Sequence, residues 1–235
     1  MCLPSVSSKL LTMYLQDQLK QQVAAAAIEF ILPKLSAETI LGIGTGSTVD
    51  LFIDALAQHK GAFKAAASSS ERSTQRLQKH GIEVLDLNQI QSMDWYIDGA
   101  DEIDGQLNMT KGGGGALTRE KIVASVAQNF LCIVDDTKVV EQLGAFPLPI
   151  EVIPMARQAV TRRLELLGGE VKWRADFITD NGNEIIDVHG LKIAEPAQFE
   201  SQINDIPGVV CCGLFALSGA TVALVATQKG VTTLS

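Results

Sequence analysis

Thr39-Ile40-Leu41-Gly42-Ile43-Gly44-Thr45-Gly46-Ser47-Thr48-Val49-Asp50-Leu51-Phe52 runs from an apolar, β-branched segment through three alternating glycines into a helical pattern. A strand (39–43) turning directly into a helix (47–59) is the unit of an α/β sheet, and Ser47 with Asp50 reads as a capping box at the helix start. The backbone N–H groups of such a turn, aligned with the helix dipole, suit a bound anion. The spacing G-x-G-x-G is not a dinucleotide fingerprint. About 20 residues on, where that fingerprint needs an acid for the ribose, stand Gly61-Ala62-Phe63-Lys64. Nor is it a nucleotide P-loop, because Ser47 follows Gly46 where a lysine is required. A plain turn capped by Ser47 would account for the glycines but leaves Thr45 and Thr48 without a task.

Outward from this unit the alternation continues. A helix over 19–35 precedes it, with Val23, Ala26, Ala27, Phe30 and Ile31 on one face. A strand (63–67), a helix (70–80) and strands at 83–85 and 93–97 follow, then a helix (117–129) and an apolar strand (130–134). Strands apolar on both faces and separated by helices imply a mostly parallel sheet covered on both sides. After Pro147 and Pro149 the pattern changes to strands at 151–153, 171–173, 177–179 and 185–188, a helix over 156–167 and an Asp180-Asn181-Gly182-Asn183 hairpin turn. With a helix at 196–204 and a strand at 209–214, this is an open α+β module of ferredoxin-like type. Thr221 to Ala226 is too apolar to stay uncovered and returns to the first sheet. The expected division is therefore 13–147 with 216–235 as the large domain, 148–215 as the small one, and 1–12 as a frayed extension, with Met13 an alternative start.

Composition narrows the function. In 235 residues, 46% of them hydrophobic, there is ample core, while a net charge of -8 argues against nucleic acid or an anionic membrane as partner. The 23 uncharged residues from Ile206 to Gln228 are long enough to span a bilayer, but Pro207-Gly208, Gly213 and Ser218-Gly219 cut them into strand-sized pieces. No secretory signal is readable, so the chain reads as cytoplasmic with reduced thiols. Four cysteines without C-x-x-C spacing and three scattered histidines give no zinc pattern. From Asp98, Ala100 stands at an EF-hand ligand position, Ile103 where the loop needs its glycine and Met109 where it needs a glutamate, which argues against calcium there.

Two segments carry the chemistry: Asp98-Gly99-Ala100-Asp101-Glu102-Ile103-Asp104 and Lys111-Gly112-Gly113-Gly114-Gly115-Ala116-Leu117-Thr118-Arg119-Glu120-Lys121. Crowded carboxylates repel and successive glycines forfeit backbone entropy, defects a chain keeps where function needs them. Asp98 closes an apolar strand at its carboxyl end, where open α/β sheets bind ligands. Glu102 and Asp104 read as solvated turn residues, Arg119 and Lys121 as surface charges, and Ser70 as a helix cap. Glu120 in a first helical turn could merely complement the dipole, but Lys111 and bare glycine backbone beside it favour a general base.

Gly44-Thr45-Gly46-Ser47-Thr48, Ser68-Ser69-Ser70 with Ser73-Thr74, Asp98-Gly99-Ala100-Asp101-Glu102, Lys111-Gly112-Gly113-Gly114, Leu117-Thr118 with Glu120-Lys121, and Asp180-Asn181-Gly182-Asn183 resemble the A-type ribose-5-phosphate isomerase family. The similarity runs in order from residue 19 to 234, with Gly115 standing where the family usually has a small residue such as alanine. The resemblance implies a Rossmann-like α/β domain plus the ferredoxin-like module. It also implies reversible interconversion of D-ribose 5-phosphate and D-ribulose 5-phosphate through an enediolate, in the non-oxidative pentose phosphate pathway, without cofactor or metal. Glu120 matches the base between C2 and C1, with Lys111 and the amides of Gly112, Gly113 and Gly114 at the developing oxyanion. Asp98 and Asp101, with Gly99 and Ala100, would meet sugar hydroxyls, Asp98 assisting ring opening. Phosphate would meet Lys20, Thr45, Gly46, Ser47 and Thr48, and Lys138 would close the pocket. Since every candidate precedes the insert, residues 148–215 are assigned to subunit contact in a homodimer or dimer of dimers. Two other classes share some of these features: a non-catalytic sugar-phosphate sensor, which would not need Glu120 beside Lys111, and a nicotinamide dehydrogenase, which the first loop disfavours.

Overall fold

The structure, a computed structural model, describes residues 8–235, with side chains from residue 15 onward. In chain order the elements are α1 (Ser8–Ile31), β1 (Ile40–Ile43), α2 (Ser47–Leu56), β2 (Ala65–Ser68), α3 (Glu71–Lys79), β3 (Met93–Asp98), β4 (Glu102–Ile103), β5 (Met109–Thr110), α4 (Leu117–Val126), β6 (Ala127–Asp135), β7 (Leu148–Val152), α5 (Arg157–Leu166), β8 (Glu170–Trp173), β9 (Glu184–His189), α6 (Pro196–Asn204), β10 (Val209–Cys212), β11 (Leu214–Phe215), β12 (Val222–Thr227) and β13 (Gly230–Leu234). Of the expected N-terminal extension, residues 1–7 lie outside the described residues, while 8–12 belong to α1.

The main sheet has the order β13-β12-β6-β3-β1-β2, parallel throughout except for β13 at the edge. Helices cover both faces. On one side Val23, Ala27 and Ile31 of α1 and Phe52, Ile53 and Leu56 of α2 pack over Leu41, Ile43, Ile97, Leu131 and Ile133. On the other, Val123 of α4 lies over Tyr96, Phe130 and Cys132. Strand alternation thus sends Ile97 to one face and Tyr96 with Asp98 to the face of α4. β12, the core of the uncharged 206–228 run, lies between β6 and β13 in the main sheet, and no helix among the described residues is long and apolar enough to cross a bilayer.

The segment β7-α5-β8-β9-α6-β10 forms an antiparallel sheet ordered β10-β7-β9-β8 over its own core of Ile150, Val160, Leu164, Ile186 and Ile203. That order is the ferredoxin-like one. A third, three-stranded sheet, β11-β5-β4, links the two. Two-residue strands have no period to read in sequence, which is why Glu102 was expected in a solvated turn and 209–214 as one strand instead of β10 and β11.

Several expected boundaries move for local reasons. α1 begins eleven residues before the expected 19 and ends at Ile31, where a short 3₁₀ turn over Leu32–Lys34, with Pro33 in it, takes over. The helix expected over 117–129 stops at Val126, because Ala127 and Asn129 already pair with Met93 and Trp95 of β3. Residues 83–85 make only a single bridge from Val84 to Ala66 instead of a strand. Residues 177–179 are loop, tied down by side chains, and Pro149 lies within β7 instead of marking an exit. The Ser47 capping box does not form: Gly46 is the N-cap at φ 109°, no side chain caps it, and Asp50 turns to Arg72 and Arg76 of α3. The cap expected at Ser70 is present, accepting from the Ser73 N–H at 3.1 Å.

Candidate active site

The carboxyl ends of β1, β3 and β6 open onto a cleft of about 230 Å³. Its wall at one end is the first glycine loop with Lys20 of α1: Thr45, Gly46, Ser47 and Thr48 all line it. The amides of Gly46, Ser47 and Thr48 head α2, whose first ladder bond runs from Asp50 N–H to the Gly46 carbonyl, so they are the orphan donors of a helix start. The Thr45 amide is not available, since it donates to Asp98 Oδ1 at 3.1 Å. Serines brace the loop from below: Ser70 donates to the Thr45 hydroxyl at 3.0 Å and Ser73 to the Gly44 carbonyl at 2.7 Å. Gly44 is required by close approach, because a Cβ there would stand 1.9 Å from the Asp98 carboxyl carbon.

Gly99, Ala100, Asp101, Lys111, Gly112, Gly113, Gly114, Glu120 and Lys138 complete the lining, so all the residues singled out in sequence meet at one cleft except Asp98. Asp98 lies beneath the floor with no exposed surface. Its carboxylate takes four donors: the Thr45 and Gly99 amides on Oδ1, the Tyr96 hydroxyl and Lys111 Nζ on Oδ2, the last at 2.8 Å. Asp98, expected from sequence to meet a sugar hydroxyl and assist ring opening, is thus covered in this structure and holds Lys111. Asp101 does reach the cleft, anchored by the Gly113 N–H at 2.7 Å, and burial raises its carboxyl above the usual range against the pull of that amide and of Lys111.

Lys111 is 3% exposed, donates to Asp98 and to the Gly99 carbonyl at 2.6 Å, and sits 3.4 Å from Glu120 Oε2. Burial alone would lower its pKa, but the carboxylates of Asp98 and Glu120 outweigh it and hold the ammonium charged well above its ordinary range. Glu120, in the first turn of α4, faces it with Oε2 buried and without a hydrogen-bond partner among the described residues. Burial pushes its carboxyl up to about 8, against Lys111 and with the help of Asp98 and Asp101. A carboxyl poised there changes its proton readily near neutral pH, beside a fixed positive charge.

Several sequence assignments change. Glu102 is 3% exposed and accepts from the Gly144 and Phe146 amides at 2.9 and 2.7 Å, and Asp104 accepts from the Gln106 and Asn108 amides; both brace a loop instead of meeting solvent. Lys121 pairs with Glu200 of α6 and donates to the Leu214 carbonyl, and Arg119 reaches Glu71, the Asp180 carbonyl and Asn181. Neither is a free surface charge. Sequence reading missed Gln16 and Asp135 in the cleft wall. Gln16 had a signal, one helical turn before Lys20, and Asp135 ends β6 as Asp98 ends β3. Among the described residues no three His, Cys, Asp or Glu side chains converge as a metal site, and Cys132, Cys211 and Cys212 are buried free thiols.

A family model described as ribose 5-phosphate isomerase A (phosphoriboisomerase A) matches residues 65–230. The chain is 61% identical over 223 residues to ribose-5-phosphate isomerase A of Bordetella avium, spanning 95% of this chain and all of that one. Among solved structures, ribose 5 phosphate isomerase A from Neisseria gonorrhoeae superposes with a TM-score of 0.89 at 42% identity, covering 93% of this chain and 96% of the other. A D-ribose-5-phosphate isomerase in complex with phospho-erythronic acid gives 0.88 at 35% identity, covering 93% and 98%. Fold and relatives define a sugar-phosphate aldose–ketose isomerase, with a buried carboxyl and a buried ammonium facing one cleft at the strand ends of a Rossmann-like sheet. The chain belongs to the ribose 5-phosphate isomerase A family.

Proposed function

We propose that the protein interconverts D-ribose 5-phosphate and D-ribulose 5-phosphate, an aldose–ketose isomerisation of the pentose phosphate pathway, using no metal or cofactor. The observation that carries this reading is Glu120: a buried carboxyl that lines the cleft, its Oε2 without a hydrogen-bond partner among the described residues and 3.4 Å from a buried ammonium that Asp98 also holds. Glu120 takes the proton from C2 of the open-chain aldose and returns it to C1, while the hydroxyl proton passes from O2 to O1. Lys111 and the glycine-loop amides stabilise the enediolate oxygen between the two steps, and Asp101 binds sugar hydroxyls. Asp98 acts through Lys111. The purified protein, treated with EDTA and given D-ribose 5-phosphate alone, is expected to form D-ribulose 5-phosphate. A ketose yield that depends on a divalent ion or on a nicotinamide cofactor would overturn the reading, and binding without turnover would favour a sensor.

The phosphate is assigned to the head of α2 with Lys20, and Lys138, on the 3₁₀ turn after β6, to the closing side of the cleft. Lys20→Ala is expected to raise KM about tenfold with kcat within a factor of about three, because the lost charge acts on substrate and transition state alike. Steady-state kinetics check it; an unchanged KM places the phosphate elsewhere. The assembly is proposed to be a cytoplasmic homodimer or dimer of dimers, with 13–147 and 216–235 as the catalytic domain and 148–215 as the smaller one. Light scattering at micromolar concentration is expected to give a multiple of the 25.1 kDa chain, and a single-chain mass would end that assignment.

A further inference from the structure

The glycine loop poses a problem that its own residues do not solve. Rotating the peptide between Gly113 and Gly114 by half a turn exchanges the directions of its C=O and N–H, and two glycines permit that rotation with little steric cost. An oxyanion site needs one of the two orientations only. The Gly113 N–H is fixed on Asp101, and the turn closes through Gly115 N–H to the Gly112 carbonyl at 2.9 Å, but neither bond fixes the 113–114 peptide.

The missing restraint comes from the α+β module. Arg174, which follows β8, donates from Nη1 to the Gly113 carbonyl at 3.1 Å. Its guanidinium is itself held by both oxygens of Asp187 on β9, at 2.9 and 2.5 Å, and lies 5.4 Å from the centroid of the Phe177 ring. Phe177 rests against Gly115, where a Cβ would stand 2.2 Å from its ring. The loop bearing both residues is anchored further on by Glu151, a fully buried carboxylate that accepts from Thr179, Asn181 and Asn183 and also from Thr118, two residues before Glu120. Gly113 and Gly114 line the cleft, whereas Arg174 does not. All peptides here are trans, so with the Gly113 carbonyl drawn toward Arg174 the Gly114 N–H points the other way, and Gly114 itself lines the cleft. That N–H has no backbone acceptor among the described residues.

We infer that Arg174 is a positioning residue for the isomerisation: it locks the Gly113–Gly114 peptide with its N–H toward the reacting oxygen, so the inserted module completes the oxyanion site. This rests on the isomerase reading proposed above. The test compares wild type, Arg174→Met and Arg174→Lys, each checked for folding by its melting curve, in turnover of D-ribose 5-phosphate and in inhibition by phospho-erythronic acid, whose carboxylate puts negative oxygen at the reacting end. Arg174→Met is expected to lower kcat ten- to a hundredfold with KM within about threefold, in line with partial loss of one oxyanion donor, and to weaken the inhibitor by a similar factor. Arg174→Lys, which keeps one donor, is expected to recover part of both. If Arg174→Met folds and keeps kcat and inhibitor affinity within twofold, or loses only melting temperature, the inference is wrong. Failure of the wild type itself to isomerise would instead sink the functional reading.

Discussion

Glu120→Gln turns over D-ribose 5-phosphate about 10²- to 10⁴-fold more slowly than the wild type, with KM changed by no more than a few-fold, because the amide fills the same space and cannot accept the C2 proton. A second result separates loss of the base from damage to the fold. Glu120 keeps its proton up to about pH 8 in the folded protein, whereas the unfolded chain releases it near 4.5. Between those values the native state binds more protons than the unfolded one, so this group makes stability fall as pH rises, and its contribution is fully present only below the lower value. Glutamine removes that dependence. The variant is therefore expected to melt close to the wild type at pH 5 and above it at pH 8, a difference on the order of a few kcal/mol. Activity within a factor of a few of wild type would remove Glu120 from the mechanism, and equal melting temperatures at pH 8 would show that its carboxyl is not burdened by burial.

Much of this site was legible in the chain because its cost is written there. A run of four glycines, a lysine and a strand-end aspartate at close spacing stand out in a sequence, and the structure puts Lys111 and Gly112 to Gly114 in one cleft with Asp98 beneath its floor. The β-α alternation was legible for the same reason, since periodicity survives in a one-dimensional record. What escaped was set by contacts distant in sequence. Ser47 and Asp50 have the spacing of a capping box, but Asp50 finds Arg72 and Arg76, which no local pattern shows. Asp98 and Glu102 are both acidic residues near a turn. Only the fold puts the first under the cleft floor on Lys111 and the second on the Gly144 and Phe146 amides. Arg174 was invisible as a site residue because 61 positions separate it from the carbonyl it holds.

Lys111→Met is expected to be the most damaging single change in the cleft, for two reasons that can be measured apart. Among the described residues the ammonium is the one full positive charge within 4 Å of both Asp98 and Glu120, and methionine leaves two buried carboxyl groups without it. Removing one partner of a buried ion pair typically costs about 3–5 kcal/mol, so a marked drop in melting temperature should accompany the variant. For catalysis, loss of an oxyanion stabiliser is worth about 10²- to 10³-fold. Lys111 also opposes the upward push of burial on Glu120, so in its absence that carboxyl holds its proton more tightly still and the share of free base at neutral pH falls further. Turnover should thus fall by more than about 10³-fold at pH 7 and recover partially as pH rises, the rising limb of the profile lying to the alkaline side of the wild type's. Combining Lys111→Met with Glu120→Gln removes one of the orphaned carboxyls, and the double variant should be more stable than the two single effects added together predict. A pH–rate profile for Lys111→Met superposable on the wild type's, or strictly additive stabilities, would show that Lys111 and Glu120 are not electrostatically coupled and that the proton economy proposed for this cleft is wrong.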